Sequence, residues 1–510
     1  MSSNSRNNST IAKNSILLSL RMIVVLFLML YTTRVLLTSL GVSDYGVYNV
    51  VCGFVSMFSF LTTSLSNGIQ RFFNFELGRH GQDGARIVYN AAIRIQLLIA
   101  VFLIILTEGI GIWYISSKMV LPADRVFAAK CIFQASLISL LFTVIQAPFV
   151  ASIMAHERMN YFAIVTIIDA VLKLLIAKCI VGIHSDSLIV YGWLLAAESA
   201  FVFLLYYGYA KHSFSEIKLT KGYSTDTFIS ILSFSGWNVF GSFANIMKEQ
   251  GINLVLNLFF GPIANAARGV ASQVNGGLQS LVSNLTIAVR PQVVQSYAVG
   301  DIPRSINLTF SISKLSCCFL FLVSFPIILE IHYILHIWLG GEVPPFTASF
   351  IYIIIITSFV NNLNAAISGL VHASGRMRTY QLVCGGITLL SVPLAYGILS
   401  LGHPPYWALI MSLLATTLAQ VAALFVLKAI VDYSILDYLK RVVLPLFFVI
   451  AVSIWIPLVI HFFMAEGPYR LLAVLASSIV CSLAAIYTCG LNKSEKSIVF
   501  SMIKKGLRNR

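Results

Sequence analysis

From residue 14 to residue 490 the sequence is a near-unbroken succession of apolar runs, each separated from the next by a few polar residues. About 20 mostly apolar residues suffice for a helix to cross a bilayer. By that measure, spans fall near 14–39, 46–73, 87–115, 125–153, 160–183 and 187–210. After a polar break at 211–226 they resume near 230–260, 263–297, 306–338, 346–373, 379–401, 405–430, 441–463 and 469–490. Hydrophobic residues make up 58% of the chain and charged residues 10%, against roughly 45–50% and 25% in a soluble domain. A soluble fold cannot bury that much apolar surface, whereas lipid accepts it. The expectation is an all-α polytopic membrane protein of about fourteen transmembrane helices.

Charge sets the expected orientation. With the N-terminus in the cytoplasm and the spans alternating, about 21 Lys and Arg fall on the cytoplasmic side, among them Arg71, Arg79, Arg86, Arg158, Lys211, Arg304, Arg376 and Lys440. Only Lys118, Arg125 and Arg470 fall opposite. The positive-inside rule gives this asymmetry for an even number of spans with both termini cytoplasmic. The net charge of +15 is therefore topological. The cations are scattered through short loops and are not interleaved with aromatics, so nucleic acid is not expected as a partner. The polar start MSSNSRNNST followed by a long apolar run reads as a retained first span rather than a cleaved signal. The eight cysteines show no metal-ligand spacing, so no metal or cofactor is expected.

The chain also carries an internal repeat. LGVSDYGVYNV (40–50) and FGPIANAARGV (260–270) are both short Gly-containing turns between long spans, with Gly41 and Gly261 aligned. Arg71 and Arg290, Arg86 and Arg304, and Arg158 and Arg376 extend nearly the same offset over six helices. The expected layout is an N-lobe (1–210), a cytoplasmic linker (211–226), a C-lobe (227–430), two additional helices (431–490) and a basic tail (491–510). Two pseudo-symmetric six-helix lobes imply a transporter that binds between its halves and rocks one against the other. No loop is large enough for a soluble catalytic domain.

Polar residues inside the spans recur at helical spacing. The seventh span carries Asn238, Ser242, Asn245, Glu249, Asn253 and Asn257 at steps of three or four; the eighth carries Arg268, Ser272, Asn275, Gln279, Ser283 and Arg290. The tenth has Asn361, Asn364, Ser368 and His372, and the second has Asn49, Ser56, Ser59, Thr63, Ser66 and Gln70. A lone Ser or Thr glues helices together. A six-membered amide and acid stripe on one face points to a polar cavity suited to a polyhydroxylated or anionic ligand. Arg21 lies well inside the first span, with Arg34 nearer its outer end. Asp169 and Lys173 are spaced to pair along one helix. Arg94, Lys130 and Lys314 are read as snorkelling cations, and Glu198 and Glu330 as candidates for proton or cation coupling.

RVLLTSLGVSDYGVYNVV (34–51) with Gly68 and Arg71, and FGPIANAARGVASQVNGGLQSLVSNLTIAVRPQV (260–293), resemble the bacterial polysaccharide transporter family, the O-antigen flippases of the multidrug/oligosaccharidyl-lipid/polysaccharide exporter superfamily. The second copy lacks counterparts of Tyr45 and Tyr48. The resemblance implies an inner-membrane flippase that moves a lipid-linked oligosaccharide by alternating access and uses no cofactor. It also implies that Arg21, Arg34 and Arg268 lie in or near a cationic cavity, where a planar guanidinium can hold pyrophosphate through two hydrogen bonds. The expected substrate-binding set is Arg21, Arg34, Asn49, Asn238, Glu249, Asn253, Arg268, Gln279, Arg290, Asn361 and Asn364. Membrane lipids are further expected partners, with a proton or sodium as the coupling ion. The rival readings are a drug/cation antiporter and a lipid II flippase of the same superfamily, and a membrane-embedded glycan-modifying enzyme. The enzyme would need convergent acid/base chemistry, which the scattered histidines do not offer.

Overall fold

The computed structural model describes the backbone of residues 2–182, 185–220, 224–340, 343–364, 367–374, 376–492 and 495–496. Side chains of 2–20 and of a few further residues, including Asn238, Arg290 and His372, lie outside the described set. The described chain is helical throughout. Its first helices are α1 (Ser2–Ser56), α2 (Ser59–Ser117), α3 (Val126–Ala155), α4 (Met159–Cys179), α5 (Ser187–Ser213), α6 (Thr225–Ala298) and α7 (Ile302–Leu329). Shorter segments follow to Gly490, including Ile331–Leu339, Tyr406–Ile430, Trp455–Phe463 and Pro468–Ala485. Among the described residues, eleven helices are long and apolar enough to cross a membrane. Among the same residues there are 14 long helices.

The bends fall at glycines, because only glycine adopts a positive φ without steric cost. Gly41 (φ 76°) bends α1, Gly81 (φ 62°) bends α2 and Gly261 (φ 67°) bends α6. Gly300 (φ 82°) separates α6 from α7. Gly81 and Gly300 extend the spacing of Gly41 and Gly261, so the sequence repeat is also a repeat of backbone turns.

By contact the chain forms two compact units. The first comprises Met1–Gln273, Trp338–Thr347 and Thr388–Ser412; the second comprises Val274–Ile337, Ala348–Ile387 and Leu413–Arg510. In the first, α3 packs along α2 and α5, and α4 along α1. Two apolar clusters hold this unit, one around Phe73, Tyr89, Phe149 and Tyr206, the other around Val47, Phe54, Leu103 and Phe133. The opposite face of α2 presents Leu98, Val101, Phe102 and Ile105 outward at helical spacing, Ile105 being 70% exposed. Such a face is costly in water and costs nothing against acyl chains.

Small residues allow the two repeated segments to cross closely inside the first unit. Gly46 meets the backbone of Pro262, Gly53 meets the side chains of Gln250 and Asn253, and Gly269 meets Asn49. A Cβ at any of these positions would collide, as expected where membrane helices approach through small residues.

The second unit has its own buried ion pairs. Glu330, fully buried at the end of α7, accepts from Arg470 Nη2 at 2.8 Å and Nε at 3.1 Å, and pairs with His461 Nδ1 at 2.8 Å. Lys314 does not snorkel. Its side chain is 2% exposed and its Nζ donates to Glu495 at 2.7 Å. Four carbons of stem reach water only from near a helix end, and here the chain following the last helix supplies a carboxylate instead.

Candidate functional site

The site begins at the Gly261 bend. The turn returns the second limb of α6 alongside the first, so that Arg268 faces Glu249. Arg268 Nη2 donates to Glu249 Oε2 at 2.7 Å, and Lys248 Nζ lies 3.7 Å from the other carboxylate oxygen. Both cations are 7% exposed, whereas the Glu249 side chain is 48% exposed. The carboxylate therefore shields two buried cations from an open space.

That space is a cavity of about 450 Å³ inside the first unit. Its wall takes Thr32, Thr33, Tyr45, Tyr48 and Asn49 from α1, Asp169 and Lys173 from α4, and Tyr191 from α5. From α6 it takes Glu249, Gln250, Asn253, Arg268, Ser272 and Gln273. Lys173 Nζ donates to both Asp169 oxygens, at 2.7 and 3.0 Å. Lys173 and Arg268, with Lys248 behind them, meet Asp169 and Glu249 at the wall. Hydroxyls, amides and phenols supply the remaining polarity, so the wall can hydrogen-bond a polyol from many directions and meet an anion at Arg268.

Of the expected substrate-binding residues, Asn49, Glu249, Asn253 and Arg268 come together here. Arg21 and Arg34 belong to α1 but do not line this cavity. The Arg21 guanidinium sits 5.2 Å from the Phe162 ring centroid, with Nε buried and without a hydrogen-bond partner among the described residues. Arg34 lies against Gly340, and the Trp338 indole two residues before that glycine donates to Leu30 O at 2.8 Å. Gln279, Asn361 and Asn364 fall in the second unit, within an amide network. Gln420 Nε2 donates to Asn361 Oδ1 at 3.1 Å, and Asn364 Nδ2 donates to Gln420 Oε1 at 2.9 Å. Tyr438 donates to Asn364 Oδ1 at 3.0 Å, and Asn362 Nδ2 lies 3.5 Å from Gln279 Oε1. The side chains of Asn238 and Arg290 lie outside the described residues.

Part of the polar stripe on α6 is structural. Asn257 is fully buried, and its amide clamps Val120, accepting from the backbone N–H at 2.9 Å and donating to the carbonyl at 3.1 Å. Asn265 donates to Asn253 O and Oδ1, both at 2.7 Å. The amides nearest the bend thus fasten the turn to its neighbours, while Glu249, Gln250 and Asn253 remain on the cavity wall. Sequence reasoning did not single out Gln250, Gln273 or Tyr191 as cavity residues. Nor did it foresee that Arg125 pairs with both Asp44 and Asp186, since no local spacing joins those three.

Neither family models nor curated proteins give a match to this chain. Solved structures do. A multidrug resistance MATE family transporter of the MOP superfamily, in an inward-facing conformation, is similar with a TM-score of 0.66 at 13% identity, over 80% of this chain and 97% of that one. The lipid II flippase MurJ, in an inward closed conformation, is similar with a TM-score of 0.66 at 14% identity, over 93% of this chain and 98% of that one. A MOP superfamily transporter from Pyrococcus furiosus, described as having a binding pocket of reversed polarity, gives a TM-score of 0.59 at 13% identity, over 82% and 95%. At these identities the likeness establishes the fold: a multi-pass, all-helical chain with the architecture shared by MATE and MurJ transporters.

Proposed function

We propose that this protein is a flippase that moves a polyprenyl-pyrophosphate-linked oligosaccharide across the bacterial inner membrane by alternating access, during surface polysaccharide synthesis. The halves 1–210 and 227–430 are the moving parts, both termini are cytoplasmic, and the protein acts as a transporter rather than an enzyme. The observation that carries this reading is the cavity itself. It combines a buried arginine behind a half-open carboxylate with a wall of amides, hydroxyls and phenols. Burying that many polar groups within a membrane-spanning bundle is costly unless they face water or a polar ligand. A glycan supplies hydroxyls for the amides, and an acidic sugar or phosphate can displace Glu249 from Arg268. Arg21 and Arg34, on the same α1, provide further cationic positions along the route. The shared fold with a lipid II flippase supports the reading.

A second reading is favoured by one specific feature. Asp169, Glu249 and three tyrosines on the wall could hold an organic cation through charge and cation–π contacts, as a drug/cation antiporter would. Both acids are already paired with cations, which places this reading second. The discriminating experiment is a deletion strain assayed for surface polysaccharide and for sensitivity to cationic drugs. Loss of surface glycan with unchanged drug sensitivity supports the flippase. Normal glycan with heightened sensitivity supports the antiporter.

A further inference from the structure

The outward face of α2 carries a cation at the head of its apolar strip, and a further cavity lies around it. This cavity, of about 340 Å³, is lined by Arg94, Leu97, Leu98 and Val101 of α2 and by Phe228 in the first turn of α6. Leu98 and Val101 are more than half exposed, and Phe102 and Ile105 continue the strip. Helix length fixes how deep Arg94 lies. The residues from Arg94 to Ser117, where α2 ends, rise about 35 Å, close to the ~30 Å of hydrocarbon in a bilayer. Arg94 therefore stands at one edge of the apolar core and Ser117 at the other.

The backbone beside Arg94 gives the same level. The non-helical segment 214–220 crosses α2 here. Asn90 Nδ2 donates to Lys218 O at 3.0 Å, the Thr220 N–H donates to Asn90 Oδ1 at 2.8 Å, and Arg94 Nη2 donates to Thr220 O at 2.8 Å. Irregular backbone is not tolerated against acyl chains, so this crossing marks the headgroup level. Lys218 is exposed on it, and Arg86 lies two turns further out along α2. Thr220 O is a neutral partner and takes one of the five donors of a guanidinium, a planar fork that matches phosphate. From Arg94 to Ile105 the strip rises about 16 Å, one leaflet's share of the hydrocarbon. An anion at the head and a chain below it are the two parts of a single phospholipid, in the right order and at the right length.

We propose that this groove is a binding site for an anionic phospholipid, with its phosphate on Arg94 and one acyl chain along Leu97, Leu98, Val101 and Ile105. Charge selects the headgroup. Every phospholipid offers a phosphate, but a zwitterionic one adds an ammonium that would stand among Arg94, Lys218 and Arg86. An anionic headgroup brings no such repulsion. The site requires only that α2 crosses a bilayer, so it stands apart from the flippase reading.

Native mass spectrometry of the full-length protein in detergent, titrated with dioleoyl phosphatidylglycerol or dioleoyl phosphatidylcholine, tests this. The expected result is one tightly retained phosphatidylglycerol, preferred over phosphatidylcholine by about fivefold or more, as one cation near a headgroup provides. Arg94→Gln should remove that preference and Arg94→Lys should keep most of it. Val101→Trp should fill the groove and lose the lipid with every charge intact. Equal retention of the two lipids by the wild type would overturn the proposal, leaving annular contact only, and that comparison needs no variant to fold. A preference unchanged in Arg94→Gln would overturn it too. Displacement of the bound phosphatidylglycerol by an equal amount of polyprenyl phosphate would also overturn it, giving the groove to an isoprenoid tail.

Discussion

Arg268 and Glu249 stand 19 residues apart on one bent helix, and the turn at Gly261 brings them to 2.7 Å. Their contact is poised rather than locked, because the carboxylate is half open to the cavity while the guanidinium is buried. Arg268→Ala should abolish export and cost only on the order of 1 kcal/mol of stability, since Lys248 still accompanies an acid that is partly solvated. Glu249→Gln should retain export with a changed substrate preference. Transport assays set against thermal unfolding of the purified variants check both. A loss of folding in Arg268→Ala comparable to its loss of export would point to a structural role instead.

Asn257 should behave in the opposite way. Replacing it with Leu strips the Val120 N–H and C=O and the buried Asn265 amide oxygen of a partner, and a buried acceptor left unsatisfied costs roughly 1–3 kcal/mol. The expected outcome is a large fall in the unfolding temperature and in membrane abundance, with the surviving protein exporting normally per molecule. Quantitative blotting beside the export assay separates the two effects.

The buried Glu330 in the second unit predicts an asymmetry between partners. Removing Arg470 strands a fully buried carboxylate beside His461 alone and should cost about 3–5 kcal/mol. Replacing Glu330 and Arg470 together by apolar residues of similar size should cost much less. Thermal unfolding of Arg470→Ala and of the double variant tests this, and equal losses in the two would contradict it.

Glu495 gives a pH dependence. Burial pushes its carboxyl up, but hydrogen bonds from Lys314, the Asn492 N–H and Ser311 outweigh burial and hold it below the ordinary carboxylate range. A carboxyl depressed in the folded state contributes stability that is complete above the unfolded value, about 4.3, and is lost as pH falls through the folded one. The segment 491–492 and 495–496 should therefore stay docked at neutral pH and release only in acid, where Lys314 is left as an unpaired buried cation. Glu495→Gln should loosen the same segment already at neutral pH, read as faster amide hydrogen exchange there.

The helices and their bends were legible because they are local. Apolar run length marks a span, and Gly41 and Gly261 interrupt runs at turns where glycine alone is comfortable. The repeat offset was legible for the same reason, and the positive φ of Gly81 and Gly300 follows it. What the sequence could not resolve is which amide on a polar face meets a ligand and which meets a neighbouring helix. Asn253 and Asn257 are one turn apart, yet the first borders the cavity and the second clamps Val120. That difference is set by what packs 137 residues away in the chain. The same limit applies to Lys314, whose counter-ion lies 181 residues further on, and to Arg21 and Arg34, which share α1 with cavity residues but point to other neighbours.

The most direct measurement of glycan export through the Arg268 cavity is mass spectrometry of lipid extracts from a deletion strain carrying no plasmid, the wild-type chain or Arg268→Ala, with membrane levels matched. Export by this cavity requires that a polyprenyl-linked oligosaccharide accumulate without the protein, vanish with the wild type and persist with Arg268→Ala. Lipid extracts indistinguishable among the three strains would contradict it.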